Sequence, residues 1–173
     1  MPPLNASHDH GVVAEENLLG PLNEGFKLIM ANFQWERLAM ALGAVGAMQL
    51  AWEKTAEFAR ERNTFGRPLS GHQAIRHKLA DMATSVYTCR CVTYDALRRF
   101  VSGEEPMREV TMAKLLTQRA AWELMDECLQ IHGGAGYMRE YWVERAVRDA
   151  RLGPIGGGSD EIMREILGRT LGL

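Results

Sequence analysis

The chain has no long apolar run, no excess of either charge and very little cysteine, and each lack closes a class of function. No stretch approaches the roughly 20 apolar residues of a membrane-spanning helix, so no span is expected. Lys and Arg number 20 against 22 Asp and Glu, a net charge of -2. That balance offers no basic footprint for nucleic acid. Three cysteines, Cys89, Cys91 and Cys128, are an odd number without CxxC spacing. They fit reduced thiols in a cytoplasmic protein rather than a disulfide framework or a zinc site. The opening MPPLNASHDH lacks the charged-then-apolar layout of a secretory signal. His8, His10, His72 and His77 make no metal-ligand pattern, so no metal is expected. Ser85, Ser102 and Cys128 lack the partners that nucleophilic catalysis needs.

What is present is helical periodicity. Residues 1–20 are irregular or strand-like, the end of a preceding β-domain or a linker. From about 22 to 62, Leu38, Ala41, Val45, Met48, Trp52, Thr55 and Ala59 step alternately by three and four, one seam on a long helix. RNTFGRPLSG then breaks it with Gly66, Pro68 and Gly71. Ser70 and Gln73 have capping-box spacing and open a second helix to about Val101, with Ile75, Leu79, Met82, Val86 and Cys89 inward. A third runs from about Pro106 to His132, with Val110, Ala113, Leu116, Ala120 and Leu124 facing in and Gly133 and Gly134 ending it. A short helix covers about 139–150, and a last one opens at Ser159, a good N-cap. No strand is expected after residue 20. The fold class is all-α: residues 21–173 form an antiparallel bundle of three long helices plus two short C-terminal ones.

Four stretches invite a chemical reading, and each has a plainer one. In GPIGGGSDEI, the glycine triplet precedes a helix start, but no Lys-Ser/Thr follows and no strand precedes, so neither phosphate-loop pattern applies. Asp160 and Glu161 already place negative charge at the positive helix end. The triplet reads as a flexible turn or as a place where a side chain is missing. Glu36 heads a face continued by Met40, Gly43 and Ala47. Burial there would raise its pKa toward that of a general base, whereas an ordinary helix glutamate is exposed. Arg62 beside Thr64 suits a phosphate, or simply complements a helix C-terminus. Gln130, Gly133 and Gly134 allow close backbone approach of a ligand, or only stop a helix. His132 reads as a structural contact.

Together, RNTFGRPLSGHQAIRHKLADM and QIHGGAGYMREYWVERAVRDAR resemble the acyl-CoA dehydrogenase family, its C-terminal helical domain in particular. The resemblance implies FAD as cofactor and an acyl-CoA thioester as substrate. A glutamate takes the α-proton, the β-hydrogen leaves to the flavin, a trans-2-enoyl-CoA forms, and an electron-transfer flavoprotein is the usual electron acceptor. In many members the base stands in the pre-helix turn, at the slot that is Gly157 here. The isovaleryl-type and long-chain-type branches put it on the long helix before an arginine, which here is Glu36 before Arg37. Glycine keeps the turn free of bulk for a base from the opposite wall, and Gly156, often tyrosine in the family, leaves room for the acyl chain. By the same resemblance Gln34, Arg37 and Gly158 contact substrate. Arg62, Thr64, Gln73, Gln130, Gly133, Gly134, Ser159 and Glu161 contact FAD.

Glu36 and Arg62 lie 26 residues apart, about 39 Å along a helix. That is long for one flavin site, and it fits the family's arrangement of one helix serving its own active site and a neighbour's cofactor. A homodimer or homotetramer is therefore expected. Family members also carry an N-terminal helical domain and a middle β-domain, so this chain alone is expected to bind FAD weakly and not to turn over. A non-catalytic oligomerisation module, or a flavin-dependent oxidase or monooxygenase, are the alternatives.

Overall fold

A computed structural model describes residues 11, 12 and 14–173, so His8 and His10 lie outside the described residues. The chain divides into two compact units, residues 1–32 and 33–173. In the first, the described residues hold a single 3₁₀ turn, Glu15–Asn17, and no strand, before the first long helix begins. Five helices follow: α1 (Gly25–Glu61), α2 (Gln73–Val101), α3 (Met107–His132), α4 (Trp142–Ala150) and α5 (Asp160–Thr170).

Contacts within the second unit fix the helix directions. Trp52 Nε1 donates to the Leu79 carbonyl and Arg90 to Gln49, so α1 and α2 run antiparallel. Gln118 reaches the Met40 carbonyl and Cys128 the Ala51 carbonyl, so α3 runs parallel to α1. The arrangement is up-down-up, as the seams predicted. One apolar core joins Val45 and Met48 of α1, Met82 and Val86 of α2, and Leu124 and Met125 of α3. A smaller one gathers Leu38, Ala41, Ala96, Val110 and Ala113. Complete burial of Leu38, Met48 and Val110 contributes about 1.5–3 kcal/mol each.

Three local expectations are corrected. Asn63–Thr64 pairs antiparallel with Arg67–Pro68, a two-rung ladder where no strand was expected; here they are β1 and β2. Its tip, Phe65 and Gly66, has positive φ at both positions (50° and 79°), as a tight two-residue hairpin requires. Residues 69–71 then wind as a 3₁₀ turn, so Ser70 does not cap α2; His72 holds the N-cap position without a side-chain bond. His72 is occupied elsewhere: Nε2 faces the Thr64 carbonyl at 3.2 Å and Nδ1 faces the Arg67 guanidinium at 3.1 Å. The arginine can only donate and the carbonyl only accept, which assigns the neutral Nε2–H tautomer. Finally, Leu116 of α3 is 38% exposed, while Lys114 and Thr117 are fully buried. The α3 seam is rotated toward polar residues because the chain packs against it from the α5 side.

Candidate functional site

The glycine triplet and the start of the family-like segment of α1 meet in space. Gly157 and Gly158 both adopt positive φ, 65° and 102°. Arg37, only 3% exposed, reaches across from α1 and donates from Nε to the Gly157 carbonyl at 3.0 Å. Lys114, fully buried on α3, donates to the next carbonyl, that of Gly158, at 2.6 Å. Two cations from two helices thus hold consecutive carbonyls of one turn. A Cβ at Gly157 would come within 2.7 Å of Met40 Sδ, and at Gly158 within 2.8 Å of Met163 Cε. Positive φ disfavours a side chain at both positions, and the flexible ends of Met40 and Met163 occupy the adjoining space. Part of the space expected beside Gly156 is likewise used, since Met40 Cε lies 3.8 Å from its Cβ position.

The electrostatics of this node are unusual. Burial pushes the Arg37 guanidinium below its ordinary value, and neighbouring Glu36 pulls it back up. Burial also lowers the Lys114 ammonium; Asp160 opposes that and Arg37 adds to it. Asp160 itself is 2% exposed and bound to the half-exposed Arg119 at 2.6 Å. The carboxylate read in the sequence as an obstacle to phosphate is therefore spent on an internal ion pair. Lys114, Gln118 and Arg119 were not singled out from the sequence. The available signal was polar residues at seam positions of α3, Lys114, Thr117 and Gln118 among Ala113 and Ala121.

Glu36 is exposed, so the burial expected of it is absent among the described residues. The reason is geometric. Consecutive helix residues point about 100° apart, so burying Arg37 turns Glu36 outward. The face it heads stays open: Gly43 and Ala47 are exposed, and nothing lies within 4 Å of a Cβ built on Gly43. Gln34, half-buried on the preceding turn, keeps a buried Oε1 without a hydrogen-bond partner among the described residues.

At the opposite end of α1 a second site forms. Arg62, Thr64, Gly133 and Gly134 line one pocket of about 380 Å³, with Phe58, His132 and Tyr141. Gly133, with φ 61°, ends α3, and neither it nor Gly134 has an atom within 4 Å of a built Cβ. His132 is the pocket's buried wall. It stacks on Phe58 at 4.2 Å, meets Trp142 edge-on at 5.8 Å, and bonds the Cys128 carbonyl through Nδ1 at 2.8 Å. Burial lowers its pKa, with the Cys128 carbonyl opposing. The structural role read for His132 is what the geometry shows.

Four of the residues expected to touch one cofactor come together here, and four do not. Gln73, first in α2, and Gln130, on the last turn of α3, are exposed and outside the pocket lining. Ser159 and Glu161 belong to the glycine-turn end. Ser159 Oγ accepts from the Ile162 amide at 3.5 Å as the α5 N-cap. Glu161 is held below the usual carboxylate range by its own backbone amide and then by the Ser159 hydroxyl. Lys114 and Gly133 are 19 residues apart on α3, about 28 Å, so the two sites are distinct.

Among the described residues no group of three or more His, Cys, Asp or Glu is placed to hold a metal, and no helix is long and apolar enough to cross a membrane. The family model for the acyl-CoA dehydrogenase C-terminal domain matches residues 23–172. The chain belongs to that family. This acyl-CoA dehydrogenase domain is 39% identical over 163 residues to an acyl-CoA dehydrogenase of Bacillus subtilis, covering 94% of this chain and 43% of the relative. It superposes on a probable acyl-CoA dehydrogenase of Mycobacterium abscessus with a TM-score of 0.89 and 45% identity, covering 92% of this chain and 42% of the other. The FAD complex of PigA superposes with a TM-score of 0.85 and 26% identity, covering 90% and 40%. The chain thus spans less than half the length of these relatives.

Proposed function

We propose that this domain provides the base and part of the flavin site of an FAD-dependent acyl-CoA dehydrogenase that converts an acyl-CoA thioester to the trans-2-enoyl-CoA. The observation that carries the reading is the Arg37–Gly157 contact. It ties the helix that carries Glu36 to a turn whose glycine presents no competing side chain. Glu36 carries a carboxylate on the open face of α1, where a thioester can lie against it and where covering protein would exclude water and favour proton transfer. Arg37 faces the other way and anchors the turn. Gln34, two residues before Glu36, holds a buried Oε1 that has no partner among the described residues. Met40, four residues on along the same face, touches the Gly156 and Gly157 positions of the turn.

The pocket at the other end fits a segment of FAD rather than the whole group. Its volume suits a diphosphate with adjoining sugar, Arg62 supplies a cation, Thr64 a hydroxyl, and the open Gly133–Gly134 backbone admits close approach. Gln73 and Gln130 lie exposed at the ends of neighbouring helices, available to the remainder. The solved FAD complex among the structural neighbours supports this assignment. Bound FAD supplies the acceptor for the β-hydrogen and its electrons, and an electron-transfer flavoprotein takes them on. With base and pocket about 39 Å apart on one helix, each site draws on two copies, so the active form is a homodimer or homotetramer in the cytoplasm.

The test is anaerobic flavin bleaching by a panel of straight and branched acyl-CoAs, with this domain joined to its N-terminal partners. Bleaching in the wild type and its loss in Glu36→Gln are expected. Equal bleaching in both would place the base elsewhere.

A further inference from the structure

Lys114 is a buried ammonium with a narrow purpose. It has no exposed surface, and its one hydrogen-bond acceptor among the described residues is the Gly158 carbonyl. The nearest anion, Asp160, is already bound to Arg119. A methionine there would fill similar volume without desolvating a charge, and such replacements of buried ions are often neutral or stabilising. The charge therefore does something that packing does not require.

The peptide geometry shows what that is. A trans peptide is planar, with its C=O and N–H pointing opposite ways. Arg37 draws the Gly157 carbonyl inward, so the Gly158 N–H points away from Arg37. Lys114 draws the Gly158 carbonyl inward, so the Ser159 N–H points away from Lys114. Neither N–H has a partner among the described residues. The first unit joins two glycines of positive φ and the second joins Gly158 to Ser159 at φ -62°, and the freedom of the two glycines gives little intrinsic preference for this one arrangement. The two cations from α1 and α3 select it.

We infer that Lys114 is a positioning residue: together with Arg37 it sets the orientation of the Gly157–Gly158–Ser159 peptides beside the Glu36 face, rather than stabilising the bundle. Its consequence for turnover rests on the acyl-CoA dehydrogenase reading above; its effect on the turn does not.

Two measurements separate these. On the 173-residue chain, amide hydrogen exchange is followed for the hydrogen-bonded amides of the turn, those of Ile155, Gly156 and Asp160, and, as a reference, for α4. Lys114→Met removes the donor at similar volume and is expected to speed exchange at least tenfold in the turn while α4 stays as in the wild type. Lys114→Gln keeps a neutral donor and falls between, three- to tenfold, and it decides the matter alone if the methionine variant does not fold. Turn exchange equal to wild type, or a rise shared equally by α4, would overturn the inference, the second because it marks a general loss of stability. In the joined enzyme, Lys114→Met is expected to lower kcat for flavin bleaching ten- to a hundredfold, with KM and FAD content within twofold of wild type. Wild-type kcat in a folded Lys114→Met enzyme that Glu36→Gln inactivates overturns the positioning role alone. Equal bleaching by wild type and Glu36→Gln sinks the base assignment instead, and the exchange result still decides Lys114.

Discussion

The two ends of α1 solve opposite problems with the same residue type. At the glycine turn, positive φ disfavours side chains and the space is taken: Met40, Met163 and Arg37 crowd the positions where Cβ atoms would stand. At the Arg62 pocket, Gly134 leaves space empty, with nothing within 4 Å of its Cβ position. The first end is held by buried charge, the second by a neutral aromatic stack around His132. A glycine at a helix boundary is thus ambiguous until its neighbours are known. The close packing belongs to a backbone that must be aimed, and the open space to a wall that must admit a ligand.

Substituting the glycines is the strongest way to break this contrast. Gly158→Ala forces an L-residue to φ 102° and pushes on Met163, so it should cost about 2–4 kcal/mol in denaturant unfolding. Gly134→Ala meets nothing and should change stability by no more than about 0.5 kcal/mol. Its effect should appear only in FAD affinity. Equal destabilisation by the two would show that the pocket end is as tightly packed as the turn.

Charge removal comes next. Arg119→Ala leaves the Asp160 carboxylate buried without its 2.6 Å partner, which should cost about 2–3 kcal/mol. Arg148→Ala removes an exposed one-turn pair with Glu144 and should leave the denaturation midpoint close to that of the wild type. A chemical-denaturation series on the two variants reads the difference directly. Similar values would mean that Asp160 is not dependent on Arg119.

The pocket end should reveal itself through pH rather than through charge deletion. Burial lowers the His132 pKa from 6.5, so on acidification the unfolded chain takes up the proton first. Stability therefore falls as pH drops from 6.5 toward the lower folded value, by at most about 1.4 kcal/mol per pH unit from this residue. Thermal melts between pH 7.5 and 5 should show that slope in the wild type and a shallower one in His132→Gln. Parallel slopes would remove His132 as the source.

Most of the fold was legible because periodicity reports burial directly. The α1 seam from Leu38 to Ala59 is buried apart from the half-exposed Trp52, and Gly133 and Ser159 mark the helix ends they were expected to mark. The hairpin at 63–68 was not legible, since two rungs carry no alternation to read. Nor was its hold on His72, which displaced the capping box. The pairing of Arg62 and Thr64 with Gly133 and Gly134 in one pocket is consistent with the family motifs. Lys114 escaped because a lysine at a seam position reads as an exposed one. Glu36 escaped differently: its open face is a property of what else covers α1, which residue spacing cannot carry.

Thiol reactivity offers the smallest and most local probe of the same comparison. Cys128 lies one turn before His132, donating weakly to the Ala51 carbonyl, and burial pushes its pKa up to about 11. Cys89 is buried and also raised, whereas Cys91 is exposed. The thiolate is the reactive form, so alkylation at pH 8 should label Cys91 within minutes and the other two only through opening of the structure. Mass spectrometry of a labelling time course should therefore show one rapid adduct, then two slow ones. The order of the slow pair carries the information. If the cavity beside His132 makes that end the looser one, Cys128 reacts before Cys89, and a ligand filling the pocket reverses the order. If both react together, the bundle opens as a unit, and the two ends differ in how their backbone is held but not in how firmly.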